Sequence, residues 1–285
     1  MRVRSFIDLA PGILGALLLP LLLVSARPCP AAQAVGGVRI IDRSVDQGLE
    51  LSVVNSNLAA ITLTITVKPD NVRADHPMPM IVSIPGPGTH PLTLLRPVNP
   101  DADYGYRVRY DWQFGQRDVV PDTNHVYRLP FASGKQFTVV QGFHGSFTHV
   151  DNDEFAVDFA MPEGTPVLAA RDGVVEVVVD RFDKGGLNPD FRDKVNLILV
   201  RQSDGTYAEY VHFRRKGARV KPGQSVKAGD VLGQSGNTGY TQGPHLHFAV
   251  FRTIDGQRRE TIPMRFRTRE NPSAEPVEGS IYTAP

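Results

Sequence analysis

The sequence predicts an all-β chain: a small N-terminal β-sandwich-like domain, then a second domain built from a series of short strands. Three observations predict it. The 285 residues include 26 Gly and 23 Pro, a turn-rich profile that goes with short strands rather than long helices. Apolar residues come in runs of strand length, and no strong helical periodicity follows the first 34 residues. A length of 285 residues suggests about two domains. With 41% hydrophobic and 21% charged residues, the composition can bury a core.

Residues 1–34 read as a signal peptide. Arg2 and Arg4 give a basic start, and an uncharged stretch with a leucine block from Leu17 to Leu23 follows. Ala32, Gln33 and Ala34 form a small-x-small cleavage pattern, so the mature chain is expected to begin near Val35; cleavage after Ala26 is the second option. Pro11, Pro20 and the short apolar length argue against an uncleaved anchor, so no stable membrane insertion is expected after cleavage. The expected location is outside the cytoplasm, in a periplasm or secreted. Cys29 is the only cysteine, and Arg27 and Pro28 before it do not suit lipid attachment. Cleavage at Ala34 leaves no cysteine at all, which excludes disulfides and a cysteine nucleophile.

Residues 36–128 form the first domain. Leu51 to Val54 and Ile61 to Val67 are strands; the second alternates apolar residues with threonine. Ile81 to Ile84 and Tyr104 to Trp112 are further strands, separated by turns such as Pro85 to Gly88. His76, His90 and His125 lack ligand spacing and are expected on loops or the surface.

The second domain, 129–269, carries further short strands: Phe137 to Val140, Ala156 to Phe159, Val174 to Val179, Asn196 to Val200, Tyr207 to Phe213, Val231 to Gly233 and His245 to Phe251. Asp180 to Lys194 is polar and reads as a loop. Residues 270–285 have prolines and no apolar period, and are expected to be a flexible tail. A net charge of +1 argues against a nucleic-acid partner. The basic run from Arg214 to Lys221 reads either as a solvated turn or as attraction to an acidic polymer.

Chemistry concentrates in the second domain. His245 and His247 lie two apart in an apolar strand and so share a face. Paired imidazoles in a sheet are costly unless something uses them, and a metal uses them well. Asp158 interrupts the apolar strand Ala156 to Ala160 and needs a partner or a metal. His149, nine residues earlier, can fold back onto the same place. Tyr210 and His212 share a face of the strand ending at Phe213.

These pieces resemble the lysostaphin-type (LytM-like) zinc endopeptidases of peptidoglycan. The resemblance spans roughly residues 137–252 and rests on an ordered set. It comprises Ala156 to Pro162, Gly164 to Val175, Tyr210 to Phe213, the hairpin Val220 to Gly233, Ser235 to Gly239, and Gly243 to Phe248. It implies that the second domain is an antiparallel β-sheet peptidase domain with a groove and a lipoyl-like hairpin. It also implies that His149, Asp158 and His247 hold Zn2+, that His212 and His245 are the catalytic pair, and that peptidoglycan peptides are the substrate, with wall-remodelling proteins as further partners. Three protein ligands leave a fourth position open, as a catalytic zinc needs. Many members of that family place the first histidine four residues before the aspartate; here that position is Glu154. His149 is the candidate, at a spacing like that of a subset of bacterial members, with His144 and Glu154 as alternatives. The resemblance also suggests a substrate contact for Asn196, against a simple strand-edge role. Relatives that lack ligands activate wall amidases, which makes a non-catalytic regulator the alternative function. A biotinyl- or lipoyl-carrier role does not suit Lys227, whose neighbours do not match.

Overall fold

A computed structural model describes residues 37–285 with their side chains and the backbone of 5–9. Most of the expected signal peptide, including both cleavage options and Cys29, lies outside the described residues. Ser5–Leu9 (β1) runs antiparallel to Gly105–Phe114 (β8) at a sheet edge. No helix among the described residues is long and apolar enough to cross a membrane.

The first domain is a sandwich of two four-stranded sheets. One has the order β1-β8-β4-β6, with β4 at Ile61–Asp70 and β6 at Met80–Ile84; the other has the order β2-β3-β7-β5, with β2 at Val38–Val45, β3 at Gly48–Asn55, β5 at Val72–Ala74 and β7 at Gly88–Pro97. Strand alternation explains the packing. Ile61, Leu63, Ile65 and Val67 of β4 are buried in the core. The threonines between them do not simply face water. Thr62 donates to Gly115 O at 2.8 Å, and Thr64 accepts from Gly256 N of the second domain at 2.9 Å. Gly256 is required there, because a Cβ would stand 2.1 Å from Asp111 O.

The second domain opens with Val126–Arg128 (β9), which pairs in parallel with Arg265–Arg267 (β22). Tyr127 of β9 is buried in this domain's core, so the boundary expected at residue 128 falls earlier, in the loop after β8. The main sheet runs β17-β13-β15-β16-β20-β11-β10-β23, with β21 also paired to β20. Its strands are Gln136–Gln141 (β10), Val157–Phe159 (β11), Gly173–Val179 (β13), Leu197–Arg201 (β15), Tyr207–Val211 (β16), Ser225–Val226 (β17), Leu246–Thr253 (β20), Arg259–Thr261 (β21) and Ile281–Thr283 (β23). Two short pairs sit beside it: Pro166–Leu168 (β12) with Val231–Gln234 (β18), and Gly185–Gly186 (β14) with Gly239–Tyr240 (β19).

The residues of β15 show how the sheet separates two cores. Leu197 and Leu199 join a buried cluster shared with the first domain, while Ile198 and Val200 join the second domain's own core. Tyr207 and Phe251 also lie in the shared cluster. The sandwich therefore covers part of one face of the main sheet.

Three expectations are corrected. Residues 270–285 do not form a flexible tail. β23 pairs with β10, Ala284 is fully buried, and the Tyr282 hydroxyl donates to Glu275 O at 2.6 Å; Ile281 and Tyr282 suit a strand despite the prolines before them. The segment expected as a self-paired hairpin is divided: β17 pairs with β13 and β18 with β12. Tyr210 and His212 do not share a face, because β16 ends at Val211 and His212 has φ +70°. That left-handed turn sends His212 to the groove while Tyr210 stays in the core.

Candidate metal centre

Asp158 on β11 and His247 on β20 are cross-strand partners. Their neighbours Val157, Phe159, Leu246 and Phe248 point into the opposite core, so alternation drives both polar side chains onto the groove face. His247 Nδ1 lies 2.9 Å from Asp158 Oδ1. His149 reaches the same oxygen from the long loop before β11, its Nε2 at 3.2 Å. His149 is fully buried, and its Nδ1 donates to Gly142 O at 2.7 Å, which turns Nε2 inward. Nε2 of His149, a carboxylate oxygen of Asp158 and Nδ1 of His247 thus converge on one volume, with candidate ligand atoms of the three residues within 4.8 Å of one another. Two imidazoles and one carboxylate, buried and aimed at a common point, fit a divalent metal of the zinc type. His144 packs on Phe155 instead, and neither it nor Glu154 belongs to a metal-capable group among the described residues.

His212 and His245 stand beside this trio, their ring centroids 4.4 Å apart. Each gives Nδ1 to a backbone carbonyl, His212 to Thr238 O at 2.6 Å and His245 to Gly243 O at 2.8 Å. Nε2 of His245 lies 3.7 Å from Asp158 Oδ2. All five predicted residues are therefore brought together. His76, His90 and His125 lie outside the metal-capable groups.

The charge states follow from the surroundings. Burial works to raise the Asp158 carboxyl, but hydrogen bonds from His149 and His247 outweigh it and hold it well below the usual carboxylate range. Burial opposes charge on His247, and the Asp158 carboxylate reverses this and raises it. Burial, reinforced by His245, pushes His212 down to about 3. A neutral His212 that donates from Nδ1 keeps Nε2 as an acceptor.

The site opens into a cleft of about 650 Å³. On its rim Phe147 stacks on Tyr240 at 5.7 Å, and the Arg192 guanidinium lies 4.4 Å over the same Tyr240 ring. Asn196 makes no cleft contact. Its side chain holds Phe182 N, Phe182 O and Phe213 O, which fixes the loop after β13. The basic run after His212 is largely exposed, with Arg215 paired to Asp183.

Sequence reasoning missed several residues of the site. Gln141 donates from Nε2 to Asp158 Oδ2 at 3.3 Å and to the Thr148 hydroxyl at 2.7 Å. Glu209, Arg259 and Asp153 form a linked group in the cleft wall. Glu209 was detectable by the same sign as Asp158, a lone carboxylate in an apolar strand.

A β-sheet cleft with a buried His-Asp-His cluster and two flanking histidines defines a class: metal-dependent hydrolases of all-β architecture. The sequence comparison narrows it. Residues 153–260 match the model of peptidase family M23. Asp158, His212, His245 and His247 fall inside the match, and His149 lies just before it. An uncharacterized metalloprotease of Buchnera aphidicola is 30% identical over 179 residues, covering 61% of this chain and 42% of that protein. The peptidoglycan DD-endopeptidase ShyC of Vibrio cholerae is 34% identical over 122 residues, covering 43% of this chain and 24% of that protein. The catalytic domain of lysostaphin from Staphylococcus simulans aligns at 28% identity over 45% of this chain and 87% of that domain, with a TM-score of 0.31. The chain spans less than half the length of these two curated relatives.

Proposed function

We propose that the protein is a zinc-dependent endopeptidase that hydrolyses peptide stems or cross-bridges of bacterial peptidoglycan. The convergence of His149 Nε2, Asp158 and His247 Nδ1 in the cleft carries this reading. The match of residues 153–260 to a peptidase family and the similarity to a protein named as a peptidoglycan endopeptidase support it. His149, Asp158 and His247 would hold the metal, three protein ligands being the number a catalytic zinc uses. A zinc ion held there would supply Lewis-acid polarisation and lower the pKa of a water.

The chain's own residues do the rest. His212, kept neutral by burial and oriented by Thr238 O, accepts the proton of the attacking water. His245, set beside it by Gly243 O, donates from Nε2 in its imidazolium form to the oxygen on which charge develops. The stacked Phe147 and Tyr240 with Arg192 offer an extended peptide an apolar, cation-edged wall. The non-catalytic alternative, a wall-bound activator of amidases, predicts missing ligands, whereas all three ligand types are present. The signal segment suits export to the compartment where this polymer lies.

The test is digestion of isolated sacculi by the purified protein with added zinc, reading released fragments by mass spectrometry. New amino and carboxyl ends on stem or bridge peptides are expected. Zinc binding with no bond cleaved would overturn the enzymatic reading.

A further inference from the structure

His149 sits in a fifteen-residue loop between β10 and β11 that pairs with no strand of the main sheet. Inside the loop, His149 N donates to Gly145 O at 3.0 Å and His144 N to Glu154 O at 2.6 Å. Such local bonds shape a loop without locating it. Gln141 of β10 bonds Thr148, and Phe147 stacks on Tyr240, while the turn Asp151–Asp153 and Phe155 after it attach to one strand, β21. Phe155 N donates to the Thr261 hydroxyl at 3.0 Å, and the Arg259 guanidinium bonds Asp153.

Arg259 is buried, where a guanidinium is costly unless its donors are used. It is doubly paired. One terminal nitrogen bonds Asp153, and the other bonds Glu209 of β16 at 2.7 Å, itself buried in the sheet floor. The guanidinium also lies 4.6 Å over the Phe251 ring of β20. The planar fork thus spans two carboxylates from separate parts of the chain, which a lysine cannot reproduce. The same two carboxylates and His247 form the second metal-capable group, with atoms within 4.8 Å.

We propose that Arg259 is a positioning residue for the metal centre: by bonding Asp153 and Glu209 together it clips the His149 loop to the sheet floor and keeps those two carboxylates from competing for metal at His247. This rests on the reading of His149, Asp158 and His247 as ligands. Arg259 touches no substrate in this account and acts through His149 and His247. Residues placed behind metal ligands cost about 10- to 100-fold in affinity when lost, and a loss in that range is expected here.

The test measures zinc affinity of the full chain by competition with a chromogenic chelator, for the parent protein, Arg259→Met, Arg259→Lys, Asp153→Asn and the Arg259→Met/Asp153→Asn double variant. Amide exchange at His149 and Asp153 in chelated protein is the second readout. Expected are weaker zinc binding by about 10-fold or more in Arg259→Met, no rescue by Arg259→Lys, and a double variant no worse than the weaker single one. Faster exchange at His149 and Asp153 is expected in Arg259→Met before any metal is added. Unchanged zinc affinity in folded Arg259→Met and Asp153→Asn would overturn the proposal while leaving the ligand reading intact. Full rescue by Arg259→Lys would reduce Arg259 to charge balance and overturn it as well. A parent protein that binds no zinc would overturn both.

Discussion

Asp158 Oδ1 is shared by two histidines, His247 Nδ1 at 2.9 Å and His149 Nε2 at 3.2 Å. Three groups from two strands and one loop are thereby aimed at one point. Removing any of them should cost more than the loss of a supporting residue, so His247→Ala and Asp158→Ala are expected to weaken zinc binding by more than about 100-fold. Metal content after dialysis, by mass spectrometry, checks this. A stoichiometric metal retained in both variants would contradict it.

His212 and His245 should behave differently from the ligands. Each lies beside the trio with its Nδ1 committed to a carbonyl. His212→Ala and His245→Ala are expected to keep zinc and lose cleavage by about 10²- to 10⁴-fold, the usual span for a general acid or base. Parallel metal analysis and peptide-release rates separate the two roles.

The pH dependence of stability carries the mark of His212. Its ring is pushed down to about 3 in the folded chain, against 6.5 as the ordinary value. Between those values the unfolded chain binds a proton there that the folded chain does not. Folding stability should therefore rise with pH across that window, by roughly 1.4 kcal/mol per unit at most, and level off above about 6.5. His212→Asn removes the titration and tolerates the left-handed backbone at φ +70°. Urea unfolding of chelated protein at pH 4, 5, 6 and 7 should show the variant gaining on the parent as pH falls. Parallel curves for the two proteins would count against it.

What the sequence made legible was whatever alternation controls. The β4, β15 and β20 strands, the shared face of His245 and His247, and the isolation of Asp158 all follow from a period of two. The resemblance, not the spacing, singled out His149, because the position of a long loop depends on contacts such as Asp153 with Arg259 that lie 106 residues apart. His212 was located but assigned the wrong face, since a single positive φ reverses alternation and no local residue signals it. The closing residues misled by composition. Prolines suggested disorder, while Ile281 to Thr283 needed only the free edge of β10 to form a strand.

That last strand has a consequence for stability. Deleting residues 277–285 removes β23 and the bonds Gly134 N to Ala284 O and Gly279 N to Val139 O, each 2.9 Å. It also removes Glu278, which accepts from Gly142 N at 3.3 Å next to the carbonyl that orients His149. A loss of about 2 kcal/mol or more is expected, toward the upper end of what single substitutions cost, together with weaker metal binding. Thermal melts with and without zinc check both.

Separating the domains should likewise be costly. Tyr207, Phe251 and Leu199 are buried with the sandwich core, and removing residues 1–114 leaves them facing water as an apolar patch. The second domain alone is expected to aggregate or to bind a hydrophobic dye strongly, whereas a soluble, fully active fragment would show that the contact is dispensable.

The most direct measurement is anomalous diffraction at the zinc edge from crystals grown with zinc. A single peak within bonding distance of His149 Nε2, the Asp158 carboxylate and His247 Nδ1 is the predicted result. A peak among Asp153, Glu209 and His247, or no peak in the cleft at all, would contradict the account.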